Sequence, residues 1–430
     1  MPRVSIEDLQ PGTLITEVVM NRRGQILIPT NTELQEKHIK GLKIWGIDTV
    51  QIEMSELPEP DMGTPGKHLD PEEQARVGEY VARKFSLNRK HAEHPVIQAL
   101  INLCEKRAYK HGTPDDANIF LSEDEQSKEA QKQKWEVLKT RKSRLTVDYL
   151  VHETRNIATL PDVYYKLMEV MRSQFNSATD MAKVISKDPG LTTRLLRIVN
   201  SAFYSFPSKI ETVSRAITII GTDQLCELTL ATSVVQAFGD GLKDTIDMNM
   251  FWLHSVACAT FARVLGLRRH DPNVERFFVV GLLHDIGRLI LLSHSAATAQ
   301  AIFEQAARER IPLYVVEKEL LGFTHTEIGA ELVKKWRLPA SQYEAIAYHH
   351  WPQHASRYPL EAAIAHVSDV FTNALGIGHS GSVQAPTMVI EAWERLELPP
   401  SSLAGIVEEV EAQVAELVQI FFPGMKNNDR

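Results

Sequence analysis

The sequence predicts a mainly α-helical protein preceded by a small mixed α+β N-terminal domain. Three observations carry this expectation. From residue 146 to about 376, apolar residues recur at three- and four-residue spacings, the mark of packed helices. The first 56 residues instead show short β-branched runs around a turn signal. The chain has 43% hydrophobic and 24% charged residues, the balance of an ordinary globular protein. Its 430 residues exceed what one compact domain usually holds, so two or three units are expected.

The N-terminal domain, residues 1–56, should contain a hairpin. Thr13 to Met20 alternates loosely, Asn21-Arg22-Arg23-Gly24 is a turn, and Gln25 to Pro29 is the second strand. Thr32 to Trp45 carries a helical stripe of Leu34, His38 and Leu42, with Gly46 as its C-cap. Thr49 to Ile52 reads as a closing strand. Residues 57–145 read as a linker and charged helical connector. Pro58, Pro60, Gly63, Pro65 and Gly66 mark the linker, and Pro95 to Lys106 reads as a helix. Ser122 to Arg144 is polar and charge-dense, as a solvated helix or mobile connector would be. Its sparse apolar positions do not support a long heptad seam.

Residues 146–242 form a first helical subdomain. Leu160-Pro161 opens a helix with Val163, Leu167, Val170 and Met171 on one face. Asp180 should cap a short helix with Met181, Val184 and Ile185. Leu191 to Val199, Ser214 to Ile220 and Asp223 to Phe238 follow as helices. Asn200-Ser201-Ala202 should stop one helix and cap the next turn, over Phe203, Tyr204 and Phe206. Residues 243–376 form a second helical subdomain. Residues 377–430 are a C-terminal extension with an amphipathic helix from Ser402 to Phe422.

Composition narrows the function classes. The net charge of -8 and pI near 6.1 argue against general nucleic-acid or anionic-membrane binding. The run Lys139-Thr140-Arg141-Lys142-Ser143-Arg144 reads as part of the solvated connector, so a DNA-binding role is disfavoured. Cys104, Cys226 and Cys258 are few and far apart, which disfavours a disulfide framework or a thiolate zinc knuckle. No signal peptide and no run of about 18 apolar residues is evident, so a cytoplasmic protein without a membrane span is expected.

The segment most informative about chemistry runs from Phe277 to Leu292, where His284 and Asp285 interrupt a long apolar helix. An ionised carboxylate left unpaired there would cost several kcal/mol or more. A backbone amide or Arg288 could compensate Asp285. So could a metal ion, since imidazole and carboxylate are both good ligands for divalent cations. The pair is not isolated. His254 sits on an earlier apolar helix, Asp369 on a later one, and His325 and His349-His350 fall between.

This order of residues, His254, then His284-Asp285, then Asp369, resembles the metal pattern of the HD phosphohydrolase superfamily. The resemblance implies one divalent metal (of Fe, Mn, Mg or Zn type) on His254, His284, Asp285 and Asp369. In the related HD-GYP branch, His325, His349 and His350 would complete a second position. Catalysis would then involve His284 and Asp285, with Arg288 in place of the usual Lys as a phosphate contact. The wording Leu160-Pro161, Asp188-Pro189-Gly190-Leu191-Thr192, Val199-Asn200-Ser201-Ala202-Phe203-Tyr204 and Ala216 to Gly221 resembles the HDOD domain, the HD-related output domain. That likeness covers about residues 150–370 and implies a two-part helical HDOD bundle with an HD-like subdomain. Ile6-Glu7-Asp8-Leu9-Gln10-Pro11-Gly12 with Trp45-Gly46-Ile47 is similar to the small domain that often precedes HD-GYP domains.

Two departures bear on catalysis. The Gly-Tyr-Pro loop of HD-GYP proteins is absent, Arg357-Tyr358-Pro359 being a faint echo. Met250 also stands where those proteins carry a glutamate one turn before the first histidine. The resemblance therefore implies a bacterial signalling or scaffold protein that binds metal and a protein or nucleotide second-messenger partner, and that can self-associate. The alternative is a metal-dependent phosphohydrolase acting on a nucleotide or cyclic dinucleotide.

Overall fold

The computed structural model describes short pieces between residues 3 and 51, then residues 70–113, 125–140, 145–153, 162–172, 178–204, 206, 208–238, 247–382 and 384–425. The chain divides into two compact units, Met1–Pro71 and Glu72–Arg430. The sequence-predicted linker at 57–69 and the Leu160-Pro161 helix start lie outside the described residues, as do the Asn21–Gly24 turn and both segments likened to the domain preceding HD-GYP domains.

In the first unit, β1 (Arg3–Ser5) pairs antiparallel with β6 (Thr49–Gln51). The segment 13–20, expected as one strand, is two. β2 (Leu14–Ile15) pairs with β5 (Thr32–Glu33), and β3 (Val19–Met20) pairs with β4 (Ile26–Ile28). The predicted hairpin is thus β3–β4, with Val19 opposite Ile28. Thr32 and Glu33 are strand rather than helix start, because they complete the ladder of β2. Ile15, Val19, Ile28, Leu34, Leu42 and Val50 are buried.

The second unit is helical throughout its described length. It opens with α1 (Pro71–Lys84), α2 (Pro95–His111), α3 (Glu125–Thr140) and α4 (Val147–Glu153). α5 (Asp162–Arg172), α6 (Ala178–Ile185), α7 (Pro189–Val199), α8 (Val213–Ile220) and α9 (Thr222–Phe238) follow. Local chemistry sets these ends. The Asp188 carboxylate accepts from the Leu191 amide (2.9 Å) ahead of Pro189, and Thr212 caps α8 through Arg215 (3.2 Å). Asp180 is inside the first turn of α6 rather than capping it; its carboxylate pairs with Lys183. Asn200 ends α7. Its side chain donates to the Ile210 carbonyl and accepts from the Ile210 amide, both at 2.7 Å. The charged connector helix α3 packs on the bundle through the buried Trp135 and a Lys139–Glu319 ion pair.

Next come α10 (Met248–Arg268), α11 (Glu275–Leu283), α12 (Ile286–His294), α13 (Ala296–Glu309), α14 (Leu313–Leu321) and α15 (His325–Lys335). α16 (Ala340–Tyr348), α17 (Pro359–Leu375), α18 (Ile390–Arg395) and α19 (Leu403–Phe421) complete the chain. α10 is apolar on every face because it is the axis of the domain, packed against α11, α17 and α19. α10, and α11 with α12, are long and apolar enough by length and composition to cross a membrane, but 89% of each stretch is buried inside the fold, which accounts for its apolarity. Helices α5–α9 join this half where α9 meets α11. Nearby, the buried Arg263 guanidinium lies 3.8 Å from the Phe203 ring centroid and 3.6 Å from Glu275, which accepts from the Tyr204 hydroxyl (2.8 Å).

Candidate metal centre

The expected long helix from Phe277 to Leu292 is two helices. α11 ends at Leu283, α12 begins at Ile286, and His284-Asp285 form the junction. Glycines allow the close packing on both sides. A Cβ on Gly281 would come within 2.6 Å of the Ala259 Cα and the Cys258 carbonyl oxygen of α10. A Cβ on Gly287 would collide with the His325 carbonyl at the start of α15. The break therefore lets two adjacent side chains face one interior point, which an unbroken helix would turn away from each other.

Five elements converge there: α10, the α11–α12 junction, the start of α15, the end of α16 and α17. His254 from α10, His284 from the junction and Asp369 from α17 form one group, with Cys258 one turn along α10. His254 Nε2 is 3.3 Å from His284 Nε2 and 3.4 Å from Asp369 Oδ1, and His284 Nε2 is 3.6 Å from Asp369 Oδ1. Asp285, His325, His349 and His350 form the second group. His325 Nε2 is 3.1 Å from Asp285 Oδ1 and 3.2 Å from His350 Nε2. Asp285 spans both groups, since its other oxygen lies 3.3 Å from His284 Nε2. All seven predicted ligand residues are thus brought together.

The arrangement of protons suits metal ligation. His284 Nδ1 faces the Gly281 carbonyl (2.7 Å), His349 Nδ1 the Ile346 carbonyl (2.9 Å) and His325 Nδ1 the Glu317 carboxylate (2.6 Å). With Nδ1 as donor in each, Nε2 is turned inward, the orientation that metal-bound histidines use, and a bound cation would take the place of any proton it carries. His349 Nε2 and Asp285 Oδ1 are buried without a hydrogen-bond partner. A divalent cation between them fits this donor set. His366, one turn before Asp369, is a contrast. It donates to the His349 carbonyl (2.8 Å) and accepts from the Val389 amide (2.9 Å), so it is a satisfied structural residue.

Charge within the cluster is compensated by Arg288 and by protons. Burial would raise the pKa of Asp285, but Arg288 and His284 hold it well below the usual carboxylate range. Burial would lower His284, yet Asp285 and Asp369 push it up to about 10. Burial and the neighbouring His284 bring His349 down to about 3, which keeps its lone pair free. Arg288 Nη1 donates to Asp285 Oδ2 (2.7 Å), to the Ser380 carbonyl (3.1 Å) and to the Ser380 hydroxyl. The phosphate contact expected from sequence is therefore engaged with Asp285 and with the segment after α17.

Sequence reasoning missed Cys258, Glu317 and Ser380. The four-residue step from His254 to Cys258 was a usable signal, because it places both on one helix face. No spacing rule links Glu317 to His325 or Ser380 to Arg288; only the tertiary fold does.

The fold and this centre define a class: a helical domain with an internal histidine–aspartate cluster. The HDOD domain model matches residues 157–352, so the chain carries an HDOD domain. The match includes every cluster residue named above except Asp369 and, outside the ligand set, Ser380. An uncharacterized protein of Treponema pallidum (strain Nichols) is 28% identical over 204 residues, 46% of this chain. That match spans only 39% of the relative's length. Among solved structures, an HDOD domain protein of unknown function from Geobacter sulfurreducens aligns over 68% of this chain and 99% of its own, at 21% identity and TM-score 0.52. A Shewanella amazonensis SB2B protein provisionally named a phosphohydrolase aligns over 63% and 97%, at 23% identity and TM-score 0.51. These two likenesses show the fold.

Proposed function

We propose that this chain is a bacterial regulatory protein whose HDOD domain is an output or scaffold module. On this reading the domain is built around a buried divalent-metal centre and has little or no phosphoester turnover. His254, His284, Asp285 and Asp369 hold one ion, and His325, His349 and His350 complete a second position. The N-terminal unit senses or docks, and the partner is a signalling protein or a nucleotide second messenger in the cytoplasm.

The observation that carries this reading is the closure of the site. His254, His284, Asp285, His325, His349 and Asp369 are each at most 2% exposed. The cleft that reaches Arg288 and His350 has a free volume of about 20 Å³ and is walled by Tyr314, Gly381, Ser382 and Gln384. That is room for about one water, far from room for a phosphoester. Asn88 fixes the covering segment: it donates to the Pro386 carbonyl (2.9 Å) and accepts from the Met388 amide (2.7 Å).

A second reading, a metal-dependent phosphohydrolase, is favoured by the place of Asp285 between two ligand groups. A divalent ion there supplies Lewis acidity toward a phosphate oxygen. Arg288 would have to leave Ser380 to meet the substrate. The test is an assay of full-length protein, carrying its native metal, with nucleoside phosphates and cyclic dinucleotides. The expected result is no turnover in the ordinary enzyme range of about 1–1000 per second. Turnover in that range, abolished in a folded His284→Ala/Asp285→Ala variant, would establish the second reading instead.

A further inference from the structure

We infer that Cys258 is a further, thiolate ligand of the first group, so that this position carries a sulfur donor and is selective for zinc-like borderline metals. The inference rests on the metal-centre reading above. It concerns a residue that the histidine–aspartate pattern does not include.

Three donor atoms lie at the spacing of one coordination shell, and the Cys258 sulfur is at that spacing from one of them. Metal–ligand distances of about 2.0–2.3 Å place neighbouring donor atoms of a tetrahedral site about 3.3–3.6 Å apart. Four of the six donor–donor distances here are 3.3 Å (His254 Nε2 to His284 Nε2), 3.4 Å (His254 Nε2 to Asp369 Oδ1), 3.6 Å (His284 Nε2 to Asp369 Oδ1) and 3.5 Å (Cys258 Sγ to His254 Nε2). The remaining two lie within 4.8 Å.

The backbone explains why the thiol is there. His254 and Cys258 are one turn apart on α10, so their side chains share a face. Gly281 lets α11 close on the Cys258–Ala259 backbone, and that approach brings His284 across to the same face. All four donors are fully or almost fully buried. A packing role alone would be met by alanine or valine; a sulfur 3.5 Å from an inward-facing imidazole nitrogen adds a donor.

The chemical consequence is selectivity. A thiolate and two imidazoles among the donors favour zinc, cobalt(II) or iron(II) over magnesium or calcium, which prefer oxygen. On binding, the thiol proton leaves to solvent and a metal–sulfur bond forms, with no change of oxidation state.

The test is cobalt(II) titration of full-length protein stripped with a chelator, compared with Cys258→Ser. Serine keeps the size of the side chain, and circular dichroism with a thermal melt checks the fold. Cys258→Ala is the second variant. Wild type is expected to develop a near-ultraviolet sulfur-to-cobalt charge-transfer band. Both variants should lose the near-ultraviolet band, still take up cobalt, and bind zinc about tenfold or more weakly in chelator competition. Cobalt uptake by wild type without the charge-transfer band overturns the inference while sparing the metal centre. An unchanged band in the folded variants also overturns it. No cobalt uptake by any of the three proteins overturns the metal-centre reading, and this inference with it.

Discussion

The Arg288 guanidinium and the Asp285 carboxylate form a buried pair one helical turn apart, with Nη1 2.7 Å from Oδ2. Arg288 also holds Ser380, so one cation links the centre of the domain to the segment that covers it.

Breaking a buried pair by removing one partner leaves a charge uncompensated, at a cost of about 3–5 kcal/mol. Arg288→Met should lower the stability of metal-free protein by that order in urea unfolding. A divalent ion compensates Asp285 as well, so the loss should be clearly smaller in metal-loaded protein. An equal loss in both forms would mean that the ion does not meet Asp285.

Gly287 sets how closely α12 approaches α15. Gly287→Ala must push its Cβ away from the His325 carbonyl and the Gly329 amide, both backbone groups that cannot rotate aside. The expected cost is about 1–3 kcal/mol from overpacking, measured by thermal melting. Asp285 and His325 should also separate, with weaker metal retention. Gly424→Ala is the control, since nothing lies within 4 Å of the added Cβ.

Glu227 gives a pH dependence apart from the metal centre. Burial raises its pKa to about 7 from the ordinary 4.5, although Gln342 donates to both oxygens (3.0 and 2.8 Å). Between those values the folded protein binds the proton more tightly than the unfolded chain, so stability falls as pH rises through this window. The contribution is at most about 3 kcal/mol, less after allowance for partial exposure. Glu227→Gln should flatten stability between pH 4.5 and 7. A variant with the wild-type slope would contradict this assignment.

Asn200 answers both backbone groups of Ile210 and also donates to the Leu196 carbonyl (2.7 Å). Asn200→Ala leaves part-buried backbone groups unmet, at about 1–3 kcal/mol. Asn200→Asp keeps the bond from the Ile210 amide and loses the donor to its carbonyl, so it should fall between. A ligand-binding role would instead leave both melts near wild type.

Much of this was legible in the chain itself. Helical periodicity located the bundle, because α7, α8 and α19 each bury one face. The ligand set was legible because buried histidines and carboxylates on apolar helices need a common partner. The break at His284-Asp285 was hidden, since apolar residues flank it on both sides and neither glycine alone signals a helix end. The split of residues 13–20 was also hidden, because strand pairing is a tertiary choice that alternation does not encode. Cys258 was overlooked because a lone cysteine on an apolar helix reads as core.

The most direct measurement is the metal content of full-length protein purified without chelators, set against a His284→Ala/Asp285→Ala variant whose fold is checked by circular dichroism. One or two divalent ions per chain in wild type, and fewer in the folded variant, is the predicted result. Folded wild-type protein that neither carries nor takes up a divalent ion would contradict a metal centre at Asp285.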